Sequence, residues 1–193
     1  MQSARKTIGL IAGGFKPFTA GHYNLVQKAS SECDEVKLFV SIGDRKREGE
    51  LPLTWAQMQP IWNEYLEPAI TELGNNNSVD VVYAKQPIRS IYELLIDANA
   101  DEGNMNTYVV YSDPEDMQKS YNDAMQMKYW PRLVENEQVI LHMIDRGETG
   151  GISGTVMRKA LAKGDMEAFI AGLPEPVKIY GPDIFDMLKQ EAY

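Results

Sequence analysis

Five short runs rich in β-branched and aliphatic residues, at 7–12, 35–42, 78–83, 107–111 and 138–144, punctuate the chain, and none is long enough to make a convincing helix. Between them, apolar residues recur at helical spacing. Leu25, Val26 and Ala29 form one such set, Trp55, Met58, Trp62, Tyr65, Leu66 and Ala69 a second, and Ile88, Ile91, Tyr92 and Leu95 a third. Strands that alternate with helices predict an α/β fold, a doubly wound five-stranded parallel sheet. Pro60 and Pro68 fall inside the second helical set, so a kink or break is expected there. Beyond Thr155 the spacing stays helical, and Gly164, Gly172 and the segment 174–176 cut it into short pieces. No repeat, low-complexity tract or linker divides the chain. The expectation is one domain over 1–193, with a core at about 7–172 and a C-terminal helical segment at 173–193 that caps the sheet.

Composition narrows the picture. Apolar residues are 44% and charged residues 24% of the 193, the profile of a globular chain. With 28 acidic against 19 basic residues the net charge is -9, which repels a nucleic-acid backbone or an anionic membrane but leaves small phosphorylated ligands open to a few focused cations. Cys33 is the one cysteine, so no intramolecular disulfide and no cysteine-based metal site can form. No apolar run approaches the length of a membrane span, and the polar first seven residues lack a signal-peptide core. A cytoplasmic protein without nucleic-acid or membrane partners is expected.

The chemistry gathers in two places. After the first strand come Gly13, Gly14, Phe15, Lys16, Pro17, Phe18, Thr19, Ala20, Gly21 and His22. The glycines permit a tight turn with close backbone approach, Thr19 can cap a helix that starts at Ala20, and His22 falls in its first turn. Imidazole, free backbone N–H groups and the helix dipole would then face an anion together. The second place is Ile152, Ser153, Gly154, Thr155, Val156, Met157 and Arg158, where hydroxyls and a guanidinium open a late helix.

At these residues the chain resembles the nucleotidylyltransferase superfamily, of the cytidylyltransferase-like kind and of the nicotinamide mononucleotide (NMN) or phosphopantetheine adenylyltransferase type. Its first signature, Gly-x-Phe-x-Pro-x-(Thr or His)-x-Gly-His followed by a leucine, is matched from Gly13 or Gly14 to His22 and by Leu25. Its second, Ile-Ser-(Ser or Gly)-Thr-x-x-Arg, is matched by Ile152, Ser153, Gly154, Thr155 and Arg158. The resemblance implies a Rossmann-like fold and a direct transfer: the phosphate of a small molecule attacks the α-phosphate of ATP or CTP, and pyrophosphate leaves. It implies that His22, Lys16 and Thr19 act on the reacting phosphates. Gly13, Gly14, Phe15, Thr19, Gly21, His22, Ser153, Thr155 and Arg158 would hold the nucleotide, with Arg158 gripping the β- and γ-phosphates. Mg2+ would arrive with ATP, with no protein-built metal site, and a homo-oligomer follows by analogy.

Other residues are weighed against plainer roles. Arg45 and Lys46, in the tribasic stretch after the second strand, sit on the binding edge of such a sheet and are candidates for the acceptor phosphate; a solvated face is the alternative. Trp55 can stack a flat ring or pack in the core, where Trp62 is expected. Ser112 and Asp113, at the end of the fourth strand, are further pocket candidates, Asp113 being also a natural cap for a helix that Pro114 begins. His142 and Cys33 read as packing residues, and the methionines from Met117 to Met127 as an ordinary helix face. AMP transfer from ATP to NMN leads. Phosphopantetheine as acceptor, a CTP-dependent cytidylyltransferase, and a nucleotide-binding sensor without turnover are the alternatives.

Overall fold

The structure, a computed structural model, describes residues 4–74, 77–144 and 152–189. Its centre is a five-stranded parallel sheet in the order β3-β2-β1-β4-β5, formed by β1 (Thr7–Gly13), β2 (Glu35–Ser41), β3 (Ser78–Ala84), β4 (Thr107–Ser112) and β5 (Val139–Met143). Each strand lies within a residue or so of the run that predicts it. The inner strands β1, β2 and β4 are largely buried on both faces, which is why they are mostly apolar. Alternation splits them: Ile11, Val36, Leu38, Val40 and Tyr111 enter one core, and Ile8, Leu10, Phe39, Tyr108 and Val110 the other.

Helices α1 (Ala20–Glu32), α2 (Trp55–Ile61) and α3 (Glu67–Thr71) cover the first face. Helices α4 (Pro87–Ala100), α5 (Pro114–Ser120), α6 (Asp123–Tyr129) and α7 (Pro131–Glu135) cover the second. The second apolar set breaks where proline predicts a break: Pro60 lies in α2, and a π-helical stretch, Trp62–Leu66, joins α2 to α3. Trp62 and Trp130 are fully buried. The expected methionine face is two short helices, because Asn122 starts α6 afresh by capping the N–H of Met125. Met117 is buried and Met127 exposed.

The late part comprises α8 (Gly154–Lys163), α9 (Met166–Ala171), a 3-10 turn (Glu175–Tyr180) and α10 (Gly181–Lys189). The expected cap on the sheet takes another form. Val177, Ile184, Phe185 and Leu188 join the core on the α1/α2 face of the sheet, and the helices of the tail pack mainly on α2, the π stretch and α8. Residues 190–193 of the expected tail lie outside the described residues. Among the described residues no helix is long and apolar enough to cross a membrane.

What positions a site is the strand order. The chain steps from β1 outward to β2 and β3, then returns to β4 on the other side of β1, so the loops after β1 and β4 diverge and leave a crevice at the carboxyl edge between them.

Candidate active site

A cavity of about 930 Å³ opens at that crevice. Its lining includes Gly13, Gly14, Phe15, Lys16, Thr19, Gly21 and His22 from the β1–α1 turn, and Ser153, Gly154, Thr155 and Arg158 from α8. Arg45 and Lys46 from the loop after β2, and Ser112 and Asp113 from the end of β4, complete the contribution of the sequence candidates. The two signatures touch: Arg158 Nη1 donates to the carbonyl of Lys16 at 3.0 Å, and Nη2 to Thr155 Oγ1 at 3.0 Å. Early loop and late helix are thus welded by the guanidinium of Arg158, a residue that is 8% exposed.

His22 owes its position to a reciprocal cap. Thr19 Oγ1 accepts the His22 backbone N–H at 3.3 Å, and His22 Nδ1 accepts the Thr19 N–H at 3.0 Å. An imidazole whose Nδ1 accepts must carry its proton on Nε2 when neutral, so the free nitrogen is a donor. Burial pushes its pKa down to about 4, which keeps the ring neutral near pH 7. The edges of Phe15 and Phe18 brace it, at centroid distances of 4.9 and 5.4 Å.

Several expectations are corrected. The first turn of α1 was expected to present a set of free N–H groups. Instead Ala20 N donates to the carbonyl of Gly172, and the Thr19 and His22 N–H groups bond each other's side chains, leaving Gly21 as its open amide among the described residues. Phe15, expected at the nucleotide, borders the cavity while its ring packs against Phe18 and Trp62. Lys16, expected at the reacting phosphates, borders the cavity and is 6% exposed, and it donates to the carbonyls of Ser41 at 2.7 Å and Gly14 at 3.1 Å. Desolvation lowers its pKa to about 8, with Asp44 opposing and Arg45 reinforcing the shift. Trp55 is not on the cavity wall. It begins α2 with its N–H on Asp44 Oδ1 at 2.9 Å, and its ring rests on Tyr83, 5.9 Å from Lys16 Nζ.

Ser153 caps α8 by accepting the Val156 N–H at 3.3 Å, and Gly154 lies so close to Arg158 that an added Cβ would stand 3.0 Å from Nη1. Asp113 caps α5 through the Asp116 N–H at 2.9 Å while still bordering the cavity. His142 packs its ring on Tyr111, and Cys33 is buried beside the Tyr111 hydroxyl. Sequence reasoning missed Glu50, Asp44, Asp116 and Tyr111, and took Arg47 only as part of the tribasic stretch. Tyr111, Asp44, Arg47 and Asp116 line the cavity, and Glu50 Oε2 sits 2.9 Å from Arg45 Nη2 and 3.5 Å from Arg158 Nε. The alternating charges at 44–50 were the available signal for Glu50.

Comparison with known proteins agrees with this geometry. The family described as citrate lyase ligase C-terminal domain matches residues 8–50. The phosphopantetheine adenylyltransferase of Porphyromonas gingivalis is 42% identical over 43 residues, 22% of this chain and 28% of that protein. The likeness in sequence is thus local, the family model covering residues 8–50 of the 193. Solved structures extend the likeness of fold across the chain. A protein assigned as a nicotinate-nucleotide adenylyltransferase from Vibrio parahaemolyticus superposes with a TM-score of 0.57 at 20% identity, covering 96% of this chain and 99% of its own. The nicotinic acid mononucleotide adenylyltransferase of Plasmodium falciparum, complexed with NaAD, gives 0.55 at 12% identity and covers 95% and 98%. The chain spans about a quarter (28%) of the length of the curated relatives it matches, and the family match at 8–50 takes in the strand, turn and helix that carry His22.

Proposed function

We propose that the protein is an adenylyltransferase that moves AMP from ATP to the phosphate of a small molecule and releases pyrophosphate. The single observation that carries this reading is the contact of Arg158 with the Lys16 carbonyl, which brings both signatures to one cavity at the strand-order reversal. An oxygen of the acceptor phosphate attacks the α-phosphorus in line, and the bond to the oxygen bridging to the β-phosphate breaks. Such a reaction asks for positioning and charge neutralisation more than for proton transfer.

This chain's residues suit that demand. His22 Nε2–H is a fixed neutral donor for the α-phosphate, costing no reorganisation as charge builds. Lys16, cationic below about pH 8 and already stripped of most water, would exchange its carbonyl partners for a phosphate oxygen. Arg158 and the open amides at the start of α8 would hold the β- and γ-phosphates. The cavity is cationic in an acidic chain, since Lys16, Arg45, Lys46, Arg47 and Arg158 all line it. Magnesium would enter with the triphosphate, its ligands mostly phosphate oxygens and water. Among the described residues no group of three or more His, Cys, Asp or Glu could hold an ion.

Fold neighbours named for nicotinate nucleotides and a local match named for phosphopantetheine point to two acceptor classes. A pyridine mononucleotide stands first, because those neighbours match nearly the whole length. The deciding experiment incubates the protein with magnesium, ATP or CTP, and NMN, nicotinate mononucleotide or phosphopantetheine, reading pyrophosphate. Release with ATP and one acceptor supports the proposal, preference for CTP redirects it to a cytidylyltransferase, and nucleotide binding without any product makes the protein a sensor.

A further inference from the structure

The loop after β2 makes a short hairpin over the cavity. Arg45 N donates to the Leu53 carbonyl at 2.8 Å and Leu53 N to the Arg45 carbonyl at 3.0 Å, while the Leu53 side chain is fully buried and nails the loop down. At its tip, Gly49 takes φ 77°, and Glu50 N donates to the Arg47 carbonyl at 3.1 Å, which turns the Glu50 carboxylate back inward. There Glu50 Oε2 accepts from Arg45 Nε at 3.0 Å and lies 2.9 Å from Arg45 Nη2 and 3.5 Å from Arg158 Nε.

That is the coordination expected of a phosphate oxygen: one acceptor facing N–H groups of two guanidiniums from opposite ends of the chain. The arrangement is also unfinished. Arg158 Nε is buried and makes no hydrogen bond, because Glu50 stops short of it. Two guanidiniums that share a point repel unless an anion stands between them, and Arg45 is among the causes that lower the Arg158 pKa, after desolvation. A carboxylate on a tip that is 30% exposed is the weaker occupant of such a place; a doubly charged phosphate with three oxygens is the stronger.

We propose that Arg45 and Arg158 form one clamp for the pyrophosphate end of the nucleotide, and that Glu50 is an internal placeholder which a β- or γ-phosphate displaces. This rests on the polyphosphate reading of the cavity. It moves Arg45 from the acceptor phosphate, where sequence placed it, to the leaving group. It also makes Glu50 an affinity-setting residue, since a ligand must first evict it.

The test measures binding by calorimetry, in magnesium chloride, of ATP, inorganic pyrophosphate and AMP to the wild-type protein, Glu50→Gln and Arg45→Ala. The expected result is that Glu50→Gln tightens ATP and pyrophosphate by about three- to tenfold, that Arg45→Ala weakens both by at least as much, and that AMP, which has no pyrophosphate end, binds all three alike. The inference is overturned if Glu50→Gln binds ATP no tighter than wild type, or if Arg45→Ala weakens AMP as much as ATP. Failure of the wild type to bind ATP, pyrophosphate and AMP at all would instead remove the polyphosphate reading, and the inference with it.

Discussion

Replacing His22 by Ala separates two jobs that one side chain performs. Loss of the Nε2–H removes the donor proposed for the α-phosphate; deleting a comparable fixed donor at a developing charge lowers turnover by about 10²–10³-fold. Loss of Nδ1 removes the acceptor of the Thr19 N–H and half of the reciprocal cap on α1, costing about 1 kcal/mol, or a fall in Tm of about 2–4 °C for a chain of this size. His22→Asn should keep the cap, because an Asn carbonyl can reach the Thr19 N–H, yet its amide is too short to replace the ring donor. Turnover, read as pyrophosphate release with the acceptor found by the panel, should therefore collapse in both variants, while only the Ala variant loses Tm. ATP affinity should stay within about threefold, since the contact strengthens in the transition state. The pH dependence carries a sign. Burial holds the folded pKa near 4, below the ordinary 6.5, so the unfolded chain takes up the proton first. The wild type should lose stability as pH falls from 6.5 towards 4, and His22→Ala should lack that loss. An Ala variant that keeps turnover within threefold, or that loses ATP affinity in step with turnover, refutes the reasoning.

Lys16 must be cationic to face a phosphate, and its pKa of about 8 puts that charge at risk just above neutrality. The profile of kcat/KM should fall as pH rises through about 8, and Lys16→Arg should carry the fall past pH 10; a wild-type profile flat to pH 9.5 contradicts the assignment. Gly13 faces the Phe15 ring so closely that an added Cβ would stand 2.6 Å from Cζ. That ring is wedged between Phe18, Trp62 and His22, so Gly13→Ala should cost about 1–3 kcal/mol and lower turnover by displacing His22; melting within a degree of wild type would show that the loop gives way more easily than its packing suggests.

The inner strands were legible because they are largely buried on both faces, so mostly apolar runs such as Val36 to Val40 announce themselves without any knowledge of partners. Caps were legible for a similar reason at Thr19 and Asp113, each acting within three residues of itself. What escaped was long-range. The burial of Lys16 depends on a carbonyl of β2, and the retreat of Trp55 on Tyr83 of β3. Glu50 reads as one of many surface acids until the fold sets Arg158 beside it. Pro60 signals a break in α2, but nothing in its neighbours specifies that the next five residues wind as a π-helix.

Among the described residues, the C-terminal helices α9 and α10 support the walls of the cavity without bordering it. The Gly172 carbonyl receives the Ala20 amide, and the Leu188 carbonyl receives Gln57 Nε2 from α2, so the last helices brace the two supports on which the glycine-rich turn and the loop after β2 stand. Trimming the protein before Gly172 would unseat the base of α1 as surely as a change inside the cavity, and a catalytic defect in such a shortened form is a matter of lost scaffolding, with every reacting group still present.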